Sequence, residues 1–461
     1  MSAVRAERPA LQQTLPAGGR KAREAFWFLW KKLKWLEDMR HLSSCWKKPF
    51  PVIGQGTFIF NADRRFQPFY ISVEDAEDEY PMIALHVGND CASFIIQRKR
   101  DRCPKELKRI DQAGCGVEEG KVSYWYSYDR DNLVLKYGKG YRMEETTLMT
   151  HDFLAKAKNP RERERMRQEM HEHLFRPDRK KFVKLYNEMV RGQFECPNSQ
   201  VEGVDVLEPL VEFDKEPFIC NLPPMVLDSS KVNLFTLDKG DYTFSASLPS
   251  ACKELYSNVV GCDLNYTEVE GEKVLLSDAI RYSLANGVLK EKIESKVGEL
   301  GDDPNETYLR VTLGHSLGKS PGIPYVLEIW PAGHYSPIHN HGNANAVIKV
   351  LFGSITIDIF NKQSPTSSHD PLLTFEASAG NVTWLDRNWY QTHKLRNPSN
   401  DYCATIQCYK YDAGDTAHWP YFDYVSEHET IDEFYPNSDF DFCEMREKVM
   451  TEYKHYIFNY F

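Results

Sequence analysis

The sequence predicts a mainly β protein, with an N-terminal β-sandwich-like domain and a charged helical connector ahead of a C-terminal jelly-roll β-barrel that is itself preceded by helices. Three patterns carry this expectation. Val122–Tyr128 and Leu133–Tyr137 are strand-like runs joined by the turn residues Asp129–Asn132, a hairpin in sequence terms. Ser354–Phe360 alternates strictly, with Ile355, Ile357 and Ile359 on one face and Ser354, Thr356 and Asp358 on the other. His339 and His341 stand two apart in a strand-like segment, and a strand turns residues i and i+2 to one face.

A chain of 461 residues exceeds one typical domain, and its 41% hydrophobic and 13% aromatic content suffices for more than one core. The balance of 57 basic against 67 acidic residues, a net charge of −10, argues against nucleic acid as the principal partner and suits a small neutral or zwitterionic substrate. Eleven cysteines without a CxxC pair indicate reduced thiols. With no run of 18 or more apolar residues and no signal-peptide core, the expected location is the cytoplasm and not a membrane.

Taken in order, residues 1–20 are expected to be disordered. Residues 21–46 form an amphipathic helix, with Phe26, Leu29, Trp30, Leu33 and Leu36 at helical spacing. That helix packs on its own domain or, as the alternative, lies on a membrane surface. Residues 50–150 carry the sandwich-like runs. Within them, Tyr70–Tyr141 resembles the small β-domain of farnesoic acid methyltransferase-like proteins. No catalytic constellation accompanies that pattern, so an interaction or scaffold role with a protein partner is expected.

Residues 151–200 read as the helical connector, with Arg161–Arg165 as a solvated face and Phe182, Leu185, Tyr186 and Met189 as a packing stripe. Residues 201–270 read as a β-rich segment with turn punctuation at Asp238–Gly240. A helix over Val274–Asn286, stopped by Gly287, and a second one carrying Ile293, Val297 and Leu300 open the unit at 271–425. The remaining 426–461 form a helical tail.

The barrel runs from Tyr308 to about Tyr411. Gly333-x5-His339-x-His341-x4-Ala346-x6-Gly353, with His393-x3-Asn397 downstream, resembles the paired motifs of the cupin superfamily. The run Trp330–Gly342, continuing through Lys349–Gly353, is similar to the cysteine dioxygenase family. This resemblance implies a jelly-roll cupin holding one iron(II), Fe(II), per cupin domain on His339, His341 and His393. It also implies a small thiol substrate and O2 as reactants and a sulfinic acid as product.

The family pattern further implies that Arg310 binds a substrate carboxylate, that Tyr308 and Trp330 line or support the pocket, and that Tyr409 contacts substrate or oxygen. Thr405, Gln407 and Tyr409 share one strand face as a hydrogen-bonded row. Two positions depart from the family. Ala346 stands where the superfamily has a glutamate ligand and animal cysteine dioxygenases have the crosslinking cysteine, so no thioether to Tyr409 is possible; Gln407 replaces a histidine.

Ligand type alone does not name the metal, since imidazole suits zinc, copper, iron and nickel. Three neutral ligands on a dication leave positive charge and open positions, which favours an incoming thiolate. The other histidines, including His315, His334, His369 and His418, read as structural, with His334 near enough to the site to support it from outside. Two alternatives stand beside cysteine as substrate: an N-terminal cysteine or bulkier thiol, and a metal-binding cupin without turnover that acts as sensor or scaffold.

Overall fold

Alternating β-branched and aromatic residues make strand the commonest regular structure of this backbone, because each such run can bury one face at least. The computed structural model describes residues 46–50, 52–62, 68–77, 80–101, 104–118, 122–177, 179–187, 211–214, 222–268, 271, 273–314, 325–361, 370–411 and 421–460. The expected disordered segment and all but the last residue of the expected amphipathic helix lie outside these, as do His315, His369 and His418. The described residues divide into two compact units, one within 1–138 and 148–218, the other within 139–147 and 219–461.

The first unit contains β1 (Trp46–Pro49), β2 (Gly56–Ala62), β3 (Phe69–Asp75), β4 (Met82–Val87), β5 (Ala92–Gln97), β6 (Lys105–Ile110), β7 (Val122–Asp129), β8 (Val134–Lys139), β9 (Thr147–Asp152), α1 (Pro160–Met170), β10 (Lys181–Asn187) and β11 (Val211–Asp214). Its strands form a six-stranded sheet, β1-β10-β3-β4-β5-β6, and a five-stranded sheet, β11-β2-β7-β8-β9. Phe69, Ile71 and Val73 of β3 share one core with Phe58 and Phe60 of β2 and with Tyr124, Tyr126 and Tyr128 of β7. Two sheets joined through their inner faces make a sandwich. The β7–β8 hairpin forms where the sequence places it. Asp129 Oδ1 accepts from the backbone N–H of Asp131 and Asn132, at 3.1 and 2.8 Å, which closes the turn.

Among the described residues of the connector, helix runs over α1, where Asn159 caps the N-terminus, Pro160 follows it and no residue is buried, and continues as a π-helix over His171–Phe175. Residues 181–187, expected to continue the helix, are instead strand β10 between β1 and β3. Sheet pairing overrides the helical spacing here, because Val183 enters the sandwich core and the buried Lys181 ammonium meets Asp75 at 3.4 Å.

The second unit contains β12 (Met225–Leu227), α2 (Leu234–Lys239), β13 (Thr243–Phe244), α3 (Ser250–Val259), α4 (Leu276–Asn286), α5 (Val288–Ser295), β14 (Leu309–Thr312), β15 (Tyr325–Trp330), β16 (Ile338–Asn340), β17 (Asn345–Phe352), β18 (Ser354–Phe360), β19 (Leu373–Ser378), β20 (Val382–Leu385), β21 (Thr392–Arg396), β22 (Cys403–Lys410), β23 (Phe422–Val425), β24 (Ile431–Phe434), β25 (Phe440–Asp441) and α6 (Phe442–Tyr460). An eight-stranded sheet runs β13-β12-β20-β17-β22-β15-β14-β25, and a six-stranded sheet runs β19-β18-β21-β16-β23-β24.

Residues 222–268, expected to be β-rich, carry two helices between their short strands. Asn233 explains α2: its side chain accepts from the N–H of Phe235 and Thr236, and Gly240 ends the helix at φ +66°. The expected second helix near Ile293 stops at Ser295, leaving Val297 exposed. The C-terminal tail begins with strands β24 and β25 before α6 docks Met445 and Val449 into a core shared with α4 and α5.

That core explains how the site is built. Leu309 and Val311 of β14, Leu327 and Ile329 of β15, and Ala404 of β22 all pack against α4, α5 and α6. Alternation then turns Arg310, Glu328 and Trp330, with Thr405, Gln407 and Tyr409, to the opposite face of the sheet.

Gly353 joins β17 to β18 at φ +70°, and a Cβ placed there would lie 2.6 Å from the Tyr402 carbonyl oxygen. Gly353→Ala is therefore expected to destabilise the second unit by roughly 1–3 kcal/mol, read as a lower denaturant midpoint.

Candidate metal centre

Strand β16 pairs antiparallel with β21, which sets His339 directly opposite His393. His341 lies just past the end of β16. The turn that follows is held by Gln391, whose Nε2 donates to the carbonyls of Ala344 and Asp386, at 2.8 and 2.7 Å, and whose Oε1 accepts from the N–H of Asn343 at 3.0 Å. Asn397 Nδ2 donates to the carbonyls of Trp330, Pro331 and Asp401, tying the end of β21 to the end of β15.

The three imidazoles converge, with one ring nitrogen from each lying within 4.8 Å of the others. His341 Nε2 and His393 Nε2 are 2.8 Å apart. His339 Nδ1 donates to the Pro337 carbonyl at 3.1 Å, which leaves the Nε2 lone pair free. Burial depresses the His339 pKa to about 4 and pushes His341 and His393 well below the ordinary range, with neighbouring positive charge adding to the effect. All three rings are therefore neutral near pH 7, the state in which imidazole binds a metal. This donor set fits a divalent transition metal, and among the described residues no Asp, Glu or Cys joins it.

Rings from both sheets wall the cluster. Tyr409 of β22 stacks on His341 with centroids 5.6 Å apart, and Phe422 of β23 lies 4.6 Å from His341 and 6.0 Å from His339. Phe422 carries no motif in the sequence, and only the β16–β23 pairing brings it here. Ala346 of β17 is the cross-strand partner of Tyr409, so the methyl group sits beside the phenol. Tyr308 stacks on Trp330 at 4.1 Å, and Trp330 Nε1 donates to Thr405 Oγ1 at 3.3 Å. His334 donates from Nδ1 to the Thr307 carbonyl and stands outside the cluster.

Arg310 is placed differently from a free anchor. It is 2% exposed and its Nη1 donates to Glu328 Oε1 at 2.7 Å across the β14–β15 pair. Nε and Nη2, the other edge of the guanidinium, are buried and make no well-formed hydrogen bond, with the hydroxyls of Tyr308 and Tyr409 beside the group. Glu328, 1% exposed, is the residue that the sequence reading missed. An acid between Leu327 and Ile329 is a signal in hindsight, but its partner follows only from strand register. Its other oxygen accepts from Gln407 Nε2, and Gln407 Oε1 accepts from the Tyr409 hydroxyl. Burial pushes the Glu328 carboxyl up to about 7, against the opposing pull of Arg310, Lys296 and the Gln407 amide.

No family model matches the chain, and no curated protein matches it. Among solved structures it is similar over a short stretch to cupin-domain proteins. Oxalate oxidase is 17% identical over 19% of this chain and 41% of its own, with a TM-score of 0.16. A predicted oxalate decarboxylase from Thermotoga maritima is 16% identical over 19% and 65%, and a Cupin_2 domain of an XRE family transcriptional regulator from Enterobacter cloacae is 13% identical over 19% and 80%, each with a TM-score of 0.16. The chain thus spans less than half of the oxalate oxidase chain that it matches. No helix among the described residues is long and apolar enough to cross a membrane.

Glu328 gives the fold a pH signature. From the ordinary glutamate value of 4.5 up to about 7, the folded chain holds a proton at Glu328 that the unfolded chain has released. Its contribution to stability is therefore present below pH 4.5 and lost as pH rises through 7. Unfolding midpoints taken across this window should show that decline, and Glu328→Gln should flatten it.

Proposed function

We propose that the chain is a non-haem iron(II) thiol dioxygenase, converting L-cysteine or a close small thiol carboxylate and O2 to the sulfinic acid. The observation that carries this reading is the convergence of three buried, neutral histidines with no carboxylate among them. An iron(II) ion held by His339, His341 and His393 would supply redox chemistry and the open coordination positions of a three-ligand site. The protein's own groups bind and shield. Arg310 offers its Nε–Nη2 edge, two parallel donors in the geometry that a carboxylate accepts. Phe422 and the Tyr308–Trp330 stack exclude water, and Ala346 leaves room beside Tyr409 where a larger side chain would intrude.

The Arg310–Glu328 pair favours a second reading. With its charge offset by Glu328, Arg310 attracts an anion less strongly, which suits an N-terminal cysteine or another thiol without a carboxylate. For the first unit, whose described residues contain no metal-ligating cluster, the proposed role is interaction with a protein partner or scaffolding.

Iron-loaded protein should consume oxygen with a small thiol. His339→Ala should lose both bound iron and turnover, as read by elemental analysis and an oxygen electrode; a metal-loaded protein inert toward a panel of thiols would be a binding protein without turnover. Removing Arg310 alone would strand a buried carboxylate, so substrate class is better tested with the pair Arg310→Met and Glu328→Leu. The KM for cysteine should rise about 10–100-fold while that for an aminothiol stays unchanged; equal effects on both would favour the second reading.

A further inference from the structure

The polar chain beside the histidines has a direction, and elementary hydrogen-bond chemistry fixes it. An ionised carboxylate has only lone pairs to offer. Glu328 accepts from Arg310 Nη1 through one oxygen and meets the Gln407 amide with the other. The end of that amide facing Glu328 must therefore be its NH2 group, and the end facing Tyr409 its carbonyl oxygen. The Tyr409 hydroxyl spends its single hydrogen on that oxygen, and its own oxygen, which lies beside the Arg310 guanidinium, keeps a lone pair for a further donor. Arg310, Glu328, Gln407 and Tyr409 are all buried, so water does not compete for these groups.

We infer that Glu328 is a positioning residue that sets the direction of this chain, so that Tyr409 offers a ligand at the three-histidine site its oxygen lone pairs and not its hydrogen. Tyr409 thereby favours a ligand carrying an N–H or O–H donor, such as a substrate ammonium group, over one presenting only acceptors. With Glu328 ionised, the direction of the chain holds whether or not a metal is bound. Its consequence for ligands rests on the reading that the histidines hold one.

A single conservative change should reverse the chain. In Glu328→Gln, Arg310 takes the new carbonyl and the new NH2 faces Gln407, which must turn its oxygen toward it. Gln407 then presents NH2 to Tyr409, which accepts and releases its own hydrogen. Metal-free protein labelled at tyrosine Cζ with carbon-13 reads this directly by NMR at pH 8, above the Glu328 value of about 7. The Tyr409 resonance is identified by its loss in Tyr409→Phe. A phenol that donates has its Cζ shifted downfield, so Glu328→Gln should move the Tyr409 signal upfield. Gln407→Leu, which removes the acceptor altogether, should move it the same way, and it stands in if Glu328→Gln does not fold. An unmoved resonance would overturn the inference.

The consequence for ligands is read with azide, an acceptor, on cobalt(II)-loaded protein. Glu328→Gln should tighten azide about tenfold more with Tyr409 present than in a Tyr409→Phe background, where only the change in charge remains. Equal factors in both backgrounds would remove Tyr409 from the ligand's surroundings. Protein that takes up no cobalt would refute the metal site itself, while the carbon shift still decides the direction of the chain.

Discussion

The antiparallel pairing of β14, β15, β22 and β17 is the constraint on which the second unit depends. Once Leu309, Val311, Leu327, Ile329 and Ala404 are committed to the helices, period-two alternation leaves the intervening residues no choice of face. A slip of one residue in β15 would send Glu328 and Trp330 into the apolar helix core and expose Leu327 and Ile329 to the site. The hydrophobic effect, acting on the outer face of the sheet, therefore positions the polar groups on its inner face. His339 and His393 are aligned by the same means on the other sheet, as cross-strand partners.

Burying charge on that inner face is costly, and the structure shows how the cost is limited. Arg310 and Glu328 are removed from water together, so neither is left as an isolated ion, and Gln407 satisfies the second carboxylate oxygen. The satisfaction is incomplete, because two guanidinium donors and His341 Nδ1 remain unpaired. Unpaired buried polar groups are rare in folded proteins and concentrate where a ligand completes them. That Arg310 Nε and Nη2 and His341 Nδ1 stand at one set of histidines agrees with a binding site there.

The first unit solves a different problem with similar chemistry. Its sandwich mixes aromatic with aliphatic side chains, and ion pairs to β3 hold β10 in the sheet on both faces: Lys181, on the face of Val183, meets Asp75, and Lys184, on the other face, meets Glu74. Those pairs hold a strand whose composition reads as amphipathic helix. Pairing of this kind involves residues more than a hundred positions apart and leaves no local trace.

Much was legible in the sequence because it rests on local periodicity. The β7–β8 hairpin, the alternation of β18, the α4 helix and the two-residue spacing of His339 and His341 each follow from neighbours in the chain. His393, 52 residues beyond His341, was legible only through the resemblance to the cupin motifs, since no local period links it to the pair. What tertiary structure alone decided is which distant residues meet. Register placed Glu328 against Arg310, sheet order brought Phe422 to the histidines, and strand pairing turned residues 181–187 from expected helix to β10. Composition and spacing describe what a segment is able to bury; they do not say across from what, and at this site the partner across the strand sets the charge of Arg310's surroundings and the direction of the Tyr409 hydrogen bond.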